Sequence, residues 1–243
     1  STYFIDRADF VACHNPAYVN KYDILKDLKP GGTFLLNCLW TPAELEQHLP
    51  GKMKRQLAQK KIHFYTLNAV KIGQEIGLGK RINMIMQSAF FALSKVMPVD
   101  DAIRHLKEAV VKNYGIMGED IVAMNHKAID LGATAFEKIE IPAAWADAPD
   151  EAPEDTSHLP DFVKNIMIPV NKQEGNSLPV STFTEDINGI IPSGTAAYEK
   201  RGVATNVPVW NPEKCIQCNQ CSLVCPHAAI RPMALTEEEA AKL

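Results

Sequence analysis

The run Cys215-Ile216-Gln217-Cys218-Asn219-Gln220-Cys221-Ser222-Leu223-Val224-Cys225-Pro226 constrains this chain more than any other stretch. It reads C-x2-C-x2-C-x3-C-P. Three thiolates at this spacing on a tight loop can cap three corners of an iron–sulfur cube. The next helical turn carries the fourth cysteine away, and in proteins with two such clusters it ligates the other one. Ile216, Leu223, Val224 and Ile230 are expected to keep water off the metal. A structural zinc site groups its cysteines as two separated pairs, so the spacing favours iron and sulfide over zinc or disulfides. No second run of this kind occurs in the 243 residues. Cys215, Cys218 and Cys221 therefore lack a fourth ligand, and Cys225 lacks companions. Either another segment completes the site or the chain is a piece of a longer one.

A hydrophobic content of 46% and a charged content of 22% fit a globular protein. A net charge of −4 gives no electrostatic case for nucleic acid. No apolar run approaches the length of a membrane span, and Ser1-Thr2-Tyr3 opens no signal-peptide pattern. The absence of an initial Met is a further hint of a fragment. Cysteines grouped as metal ligands suggest a reducing compartment, hence the cytoplasm. Cys13 and Cys38, each ending an apolar run, are read as buried core thiols.

Residues 1–67 alternate strand and helix. Strands are expected over 8–13, 33–38 and 62–67. A helix is expected from Asn15-Pro16 through Leu28, ended by Pro30-Gly31-Gly32. Thr41, Pro42 and Glu44 predict a capped helix start. A basic helix follows (Lys52, Lys54, Arg55, Lys60, Lys61) and is read as a solvated face. This order argues for a parallel, Rossmann-like sheet. Residues 68–138 read as helices, over 83–96, 99–114 with Gly115 as C-cap, and 119–136. From Ile141 the composition shifts, and nine of the 16 prolines lie between Pro142 and Pro212. The acidic segment 147–155 reads as an extended linker, and 162–210 as extended arms that pack on something. Glu199-Lys200-Arg201 by itself reads as a solvated turn. His14, His63, His126 and His227 read as hydrogen-bonded or surface histidines.

Several pieces together resemble the pyruvate:ferredoxin (flavodoxin) oxidoreductase family. They are Asp9-Phe-Val-Ala-Cys-His-Asn-Pro-Ala-Tyr-Val-Asn20, Gly31-Gly-Thr-Phe-Leu-Leu-Asn-Cys38, Lys80-Arg-Ile-Asn-Met-Ile-Met86, Tyr198-Glu-Lys-Arg-Gly202, and Val209-Trp-Asn-Pro-Glu-Lys-Cys215 leading into the cysteine run. The resemblance covers essentially the whole chain. It implies an internal fragment with three parts. Residues 1–140 would be the later part of an α/β gamma-like domain with a Rossmann-like parallel sheet. Residues 141–207 would be an extended Pro-rich linker carrying the Glu-Lys-Arg motif, and 208–243 the first half of a two-cluster ferredoxin-type α+β domain.

The activity implied is oxidative decarboxylation of pyruvate with coenzyme A to acetyl-CoA and carbon dioxide. Electrons would leave through [4Fe-4S] clusters to ferredoxin or flavodoxin. Thiamine diphosphate and Mg would be bound outside this chain, and the intact enzyme would be a cytoplasmic homodimer. The resemblance places coenzyme A contacts at Asn83 and Asn125, whose amides offer donors and an acceptor. From the residues alone these read as a helix cap and a polar helix face. Lys80 and Arg81 read as surface cations, with neutralisation of phosphates as the alternative. The metal ligands are Cys215, Cys218, Cys221 and Cys225. Other readings are a stand-alone ferredoxin-type electron carrier, another 2-oxoacid:ferredoxin oxidoreductase, or a zinc-binding interaction module.

Overall fold

Mostly apolar runs at 10–13, 33–36 and 62–67 form the parallel strands of a sheet covered on both faces. The structure, a computed structural model, describes residues 5–152, 155–183, 190–199 and 207–242. Strands β1 (Ala8–Cys13), β2 (Leu28–Asn37) and β3 (His63–Leu67) pair in parallel in that order. Strand β4 (Glu137–Ile139) closes the far edge antiparallel to β3. Side-chain alternation sends Phe34, Leu36 and Phe64 to one face and Leu35 and Leu67 to the other. The first face packs on α1 (Pro42–His48) and α2 (Gly51–Gln59), with the Phe34 and Phe64 rings stacked at 5.4 Å. The second packs on α3 (Ala69–Glu75), α4 (Asn83–Ser94) and α6 (Glu119–Gly132). Helix α5 (Val99–Tyr114) lies against α4 and α6.

Strand β1 lies where expected, and β2 begins five residues earlier than expected. The helix from Asn15 is only a 3₁₀ turn, Pro16–Asn20, capped by the Asn15 side chain. Val19 and Leu25, both buried, are six residues apart, a spacing that no single helical face presents. Pro30-Gly31-Gly32 does not stop a helix. It lies inside β2, where the register slips from Ala8↔Leu28 to Phe10↔Thr33 and Gly31 adopts φ +73°. The capping box of α1 forms as the sequence predicts. Gly115 is right-handed and opens a 3₁₀ turn; the positive φ falls at Gly118, before α6. Helix α6 stops at Gly132, and β4 follows.

The basic helix α2 is not a bare solvated face. Lys52 pairs with Asp23 at 2.7 Å and Lys54 with Glu46 at 2.8 Å. Lys60 donates to the carbonyls of Leu25, Lys26 and Leu28. Nor is the acidic segment free, because its first residues lie along α2. Residues 155–183 form short helical turns rather than extended arms, including a π-helical turn at Val163–Met167 and α7 (Ile168–Asn171). The chain divides into two units, Ser1–Val203 and Ala204–Leu243. In the second, the described residues form α8 (Gln220–Val224), α9 (Glu237–Ala240) and turns. No helix among the described residues is long and apolar enough to cross a membrane.

Candidate functional site

The cysteine loop is shaped by backbone turns rather than by packing. Asn211 caps a 3₁₀ turn, Pro212–Lys214, that delivers Cys215 in an extended conformation. Gln217 and Asn219 then take left-handed φ values of 57° and 58°, so the chain reverses between Cys215 and Cys221. Helix α8 starts directly after Asn219, carries Cys221 in its first turn and ends at Cys225.

Backbone N–H groups converge on two of the sulfurs. Those of Gln217 and the Trp210 indole hold the Cys215 thiol below its ordinary range. Those of Ile230, His227 and Ala229 do the same for Cys225, the Ala229 amide standing 3.3 Å from Sγ. Both shifts favour the thiolate, the form that binds metal. Ser222 Oγ donates to the Ile230 carbonyl and ties α8 to the segment supplying the Cys225 donors.

This donor set fits an iron–sulfur cluster in its chemistry: four soft ligands, two already biased to the charged form and hydrogen-bonded at sulfur. The apolar shield does not fit. Ile216, Leu223 and Val224 are 84%, 86% and 74% exposed. Among the described residues no three metal-ligating side chains are close enough to share one ion. No described residue from 207 to 242 is buried, so apolar packing does not draw them together. The N–H donors to sulfur were missed by sequence reasoning, because they belong to backbone groups whose direction only the turns define.

Asn83 is the first residue of α4, exposed, with Ile82 rather than Asn83 at the cap position. Asn125 is 8% exposed on α6, where its Nδ2 donates to the Ile121 carbonyl at 2.8 Å. The two helices run antiparallel in contact. A Cβ at Gly132 would lie 2.4 Å from the Ile85 carbonyl, and Ser88 Oγ donates to the Ile129 carbonyl at 2.6 Å. On that alignment Asn83 and Asn125 sit roughly 13 Å apart along the helix axes. The structure thus does not bring them together, though both border one helix pair. Lys80 and Arg81 are exposed on the turn before α4.

Cys13 and Cys38 lie buried at the carboxyl ends of β1 and β2, and burial pushes both thiols up to about 11. Between them Asn37 is 3% exposed; its Nδ2 donates to the His14 carbonyl and its Oδ1 accepts from the Ala69 amide. His14, His63 and His227 are exposed, and the His126 ring faces the Lys107 carbonyl at 3.2 Å. In the Glu-Lys-Arg motif, Gly194 at φ +85° precedes a 3₁₀ turn, Thr195–Tyr198, and Lys200, Arg201 and Gly202 lie outside the described residues. Tyr198 and Glu199 border a cleft of about 1110 Å³ whose other walls include Tyr18, His158 and Lys172.

Comparison with known proteins adds three family matches. Residues 1–135 match the profile described as pyruvate ferredoxin/flavodoxin oxidoreductase. Residues 148–204 match a domain of unknown function, and 208–231 a 4Fe-4S binding domain. The chain is 56% identical over 232 residues to the pyruvate:ferredoxin oxidoreductase of Moorella thermoacetica, covering 96% of this chain and 20% of that protein. It is 54% identical over 239 residues to the pyruvate-flavodoxin oxidoreductase of Klebsiella pneumoniae, with 98% and 20% coverage. It is 43% identical over 239 residues to the mitochondrial pyruvate dehydrogenase [NADP(+)] of Euglena gracilis, with 98% and 13% coverage. The chain therefore spans about a fifth of the length of the first two relatives.

Proposed function

Because this chain belongs to the pyruvate ferredoxin/flavodoxin oxidoreductase family, we propose that it supplies the electron exit and part of the coenzyme A contact of an enzyme that oxidises pyruvate. In that reaction pyruvate loses carbon dioxide, the acetyl group passes to the coenzyme A sulfur with loss of the thiol proton, and two electrons leave singly. The acceptor is ferredoxin or flavodoxin, the carriers for which the two relatives above 50% identity are named. The observation that carries the proposal is the cysteine loop with its N–H donors aimed at Cys215 and Cys225.

Cys215, Cys218 and Cys221 would hold one [4Fe-4S] cluster, and Cys225 a corner of a second. Bound clusters supply one-electron transfer, and thiamine diphosphate with magnesium, held outside this chain, supplies the carbanion chemistry. The chain's own contribution is to donate hydrogen bonds to the Cys215 and Cys225 sulfurs, which favours their thiolates and would raise the potential. Asn83 and Asn125 are proposed as coenzyme A contacts. Their separation suits an elongated ligand, and among the described residues nothing donates to the Asn125 Oδ1. The intact enzyme is proposed to be a cytoplasmic homodimer.

Anaerobic reconstitution with iron and sulfide tests the metal assignment. The expected result is a cluster spectrum that Cys218→Ser abolishes, with no pyruvate oxidation by this chain alone. Zinc without a cluster spectrum overturns the assignment. In the intact enzyme, Asn83→Ala and Asn125→Ala should each raise the KM for coenzyme A about 5- to 50-fold, on the order of one or two lost hydrogen bonds. An unchanged KM removes that contact.

A further inference from the structure

Helix α2 begins without a cap of its own. Pro50 offers no side-chain acceptor, and the first turn carries no acidic residue. A helix start in this state leaves N–H groups unpaired and a positive end uncompensated. The missing acceptor arrives from a hundred residues away: Glu151 Oε1 takes the Gly51 N–H at 2.6 Å. The chain passes so close that a Cβ at Gly51 would lie 1.7 Å from the Pro149 carbonyl oxygen.

The approach continues along the helix. Arg55, one turn on, donates to the Ala148 carbonyl and to the Asp150 carboxylate. Gln59, another turn on, donates to the Ala146 carbonyl at 3.0 Å. Trp145 ends the run, 3% exposed, its indole N–H on Glu46 and its ring under the Lys54 ammonium at 5.9 Å. Residues 51, 55 and 59 form one i, i+4, i+8 row. That whole row is given over to residues 146–151, running antiparallel to the helix.

We infer that residues 145–151 are a charge-operated strap that completes the amino end of α2, so that the strap and the first turn of α2 open and close as one unit. The two ends of the strap are held differently. Trp145 is anchored by apolar burial in the core under the sheet. Asp150 and Glu151 are held by an arginine and a helix end, interactions that salt screens. The strap therefore peels from its 151 end and pivots at Trp145. Its state sets where the chain leaves the sheet and enters the segment 155–183.

Hydrogen exchange in the intact protein tests this, comparing amides of 51–54 with those of 147–152. Glu151→Ala should speed exchange in both segments about 5- to 10-fold, the usual effect of losing a helix cap. Arg55→Ala leaves Glu151 in place and should still speed both. Roughly 0.5 M NaCl should speed both segments in the wild type and act less in Arg55→Ala, where only the Glu151 contact is left to screen. Glu151→Gln, which keeps an acceptor but loses the charge, should fall between wild type and Glu151→Ala. Lys52→Ala is the control, since Lys52 pairs with Asp23 and not with the strap; it should alter neither segment. A variant that speeds one segment and leaves the other unchanged overturns the coupling. Salt-independent exchange at 147–152 overturns the electrostatic hold.

Discussion

Burial pushes the Cys13 and Cys38 thiols up to about 11, while hydrogen bonds to sulfur hold Cys215 and Cys225 below the ordinary range. One chain thus carries two cysteine chemistries. For the buried pair the consequence is alkaline instability. The folded state keeps its proton up to about 11, whereas the unfolded chain loses it near 9. Between those values the native state binds more protons, so stability falls as pH rises, by on the order of 2 kcal/mol per thiol across the window. Denaturation midpoints measured from pH 8 to 11 should show this loss, and Cys38→Ala should remove about half of its slope. An unchanged slope in that variant would assign the alkaline loss to other groups. The burial of Cys13 and Cys38 was legible in sequence from the apolar runs before them, and the C-x2-C-x2-C-x3-C-P spacing set the other four cysteines apart as the proposed metal ligands. Asn37 was not legible. Its partners, the His14 carbonyl and the Ala69 amide, lie 23 and 32 residues away, and only the folded sheet edge brings them to one amide.

Elements whose signals are local were legible, and those completed by distant chain were not. Thr41, Pro42 and Glu44 announce α1 within four residues, and the capping box forms with Glu44 Oε2 at 2.8 Å from the Thr41 amide. Strand β2 was cut short because Pro30-Gly31-Gly32 looks like a stop. The stretch is tolerated because Gly31 N–H finds the Lys60 carbonyl at 2.8 Å, beyond any local window. Three-residue β4 carries too short a pattern to be read at all. Helix α6 was expected to run to Phe136, and its true end at Gly132 coincides with a tight approach to the α4 backbone. That approach makes a prediction. A methyl at Gly132 would meet the Ile85 carbonyl oxygen at 2.4 Å and the Ile85 Cα at 2.8 Å, both backbone atoms that cannot swing aside. Gly132→Ala should therefore destabilise the sheet unit by about 2–3 kcal/mol in urea, despite the better helix propensity of alanine. Gly115→Ala, where nothing lies within 4 Å, serves as the comparison and should change stability by less than about 0.5 kcal/mol.

At the scale of the whole molecule, the two units rest on different foundations. The first has a sheet with an apolar core on each face, built from fully buried residues such as Phe34, Leu35, Phe64 and Ile85. The second has no buried residue among those described from 207 to 242, and leaves Val209, Trp210, Ile216, Leu223, Val224 and Met233 at least 70% exposed. The burial seen among these described residues does not offset the conformational entropy of ordering them, and a staple would. In the proposed ligation the metal is that staple, and its binding free energy becomes folding free energy. Iron should consequently protect one unit and leave the other indifferent. In the metal-free intact protein, brief proteolysis should cut first within 207–242, while 5–152 resists. Reconstitution with iron and sulfide should slow cleavage in 207–242 at least tenfold, on the scale of a bound metal's contribution to a small fold. It should leave the urea midpoint of the sheet unit unchanged. Cys218→Ser should abolish the protection without moving that midpoint. Resistance of 207–242 in the absence of iron, or a midpoint that follows the metal, would show that the cysteine segment draws its order from something other than its four thiolates.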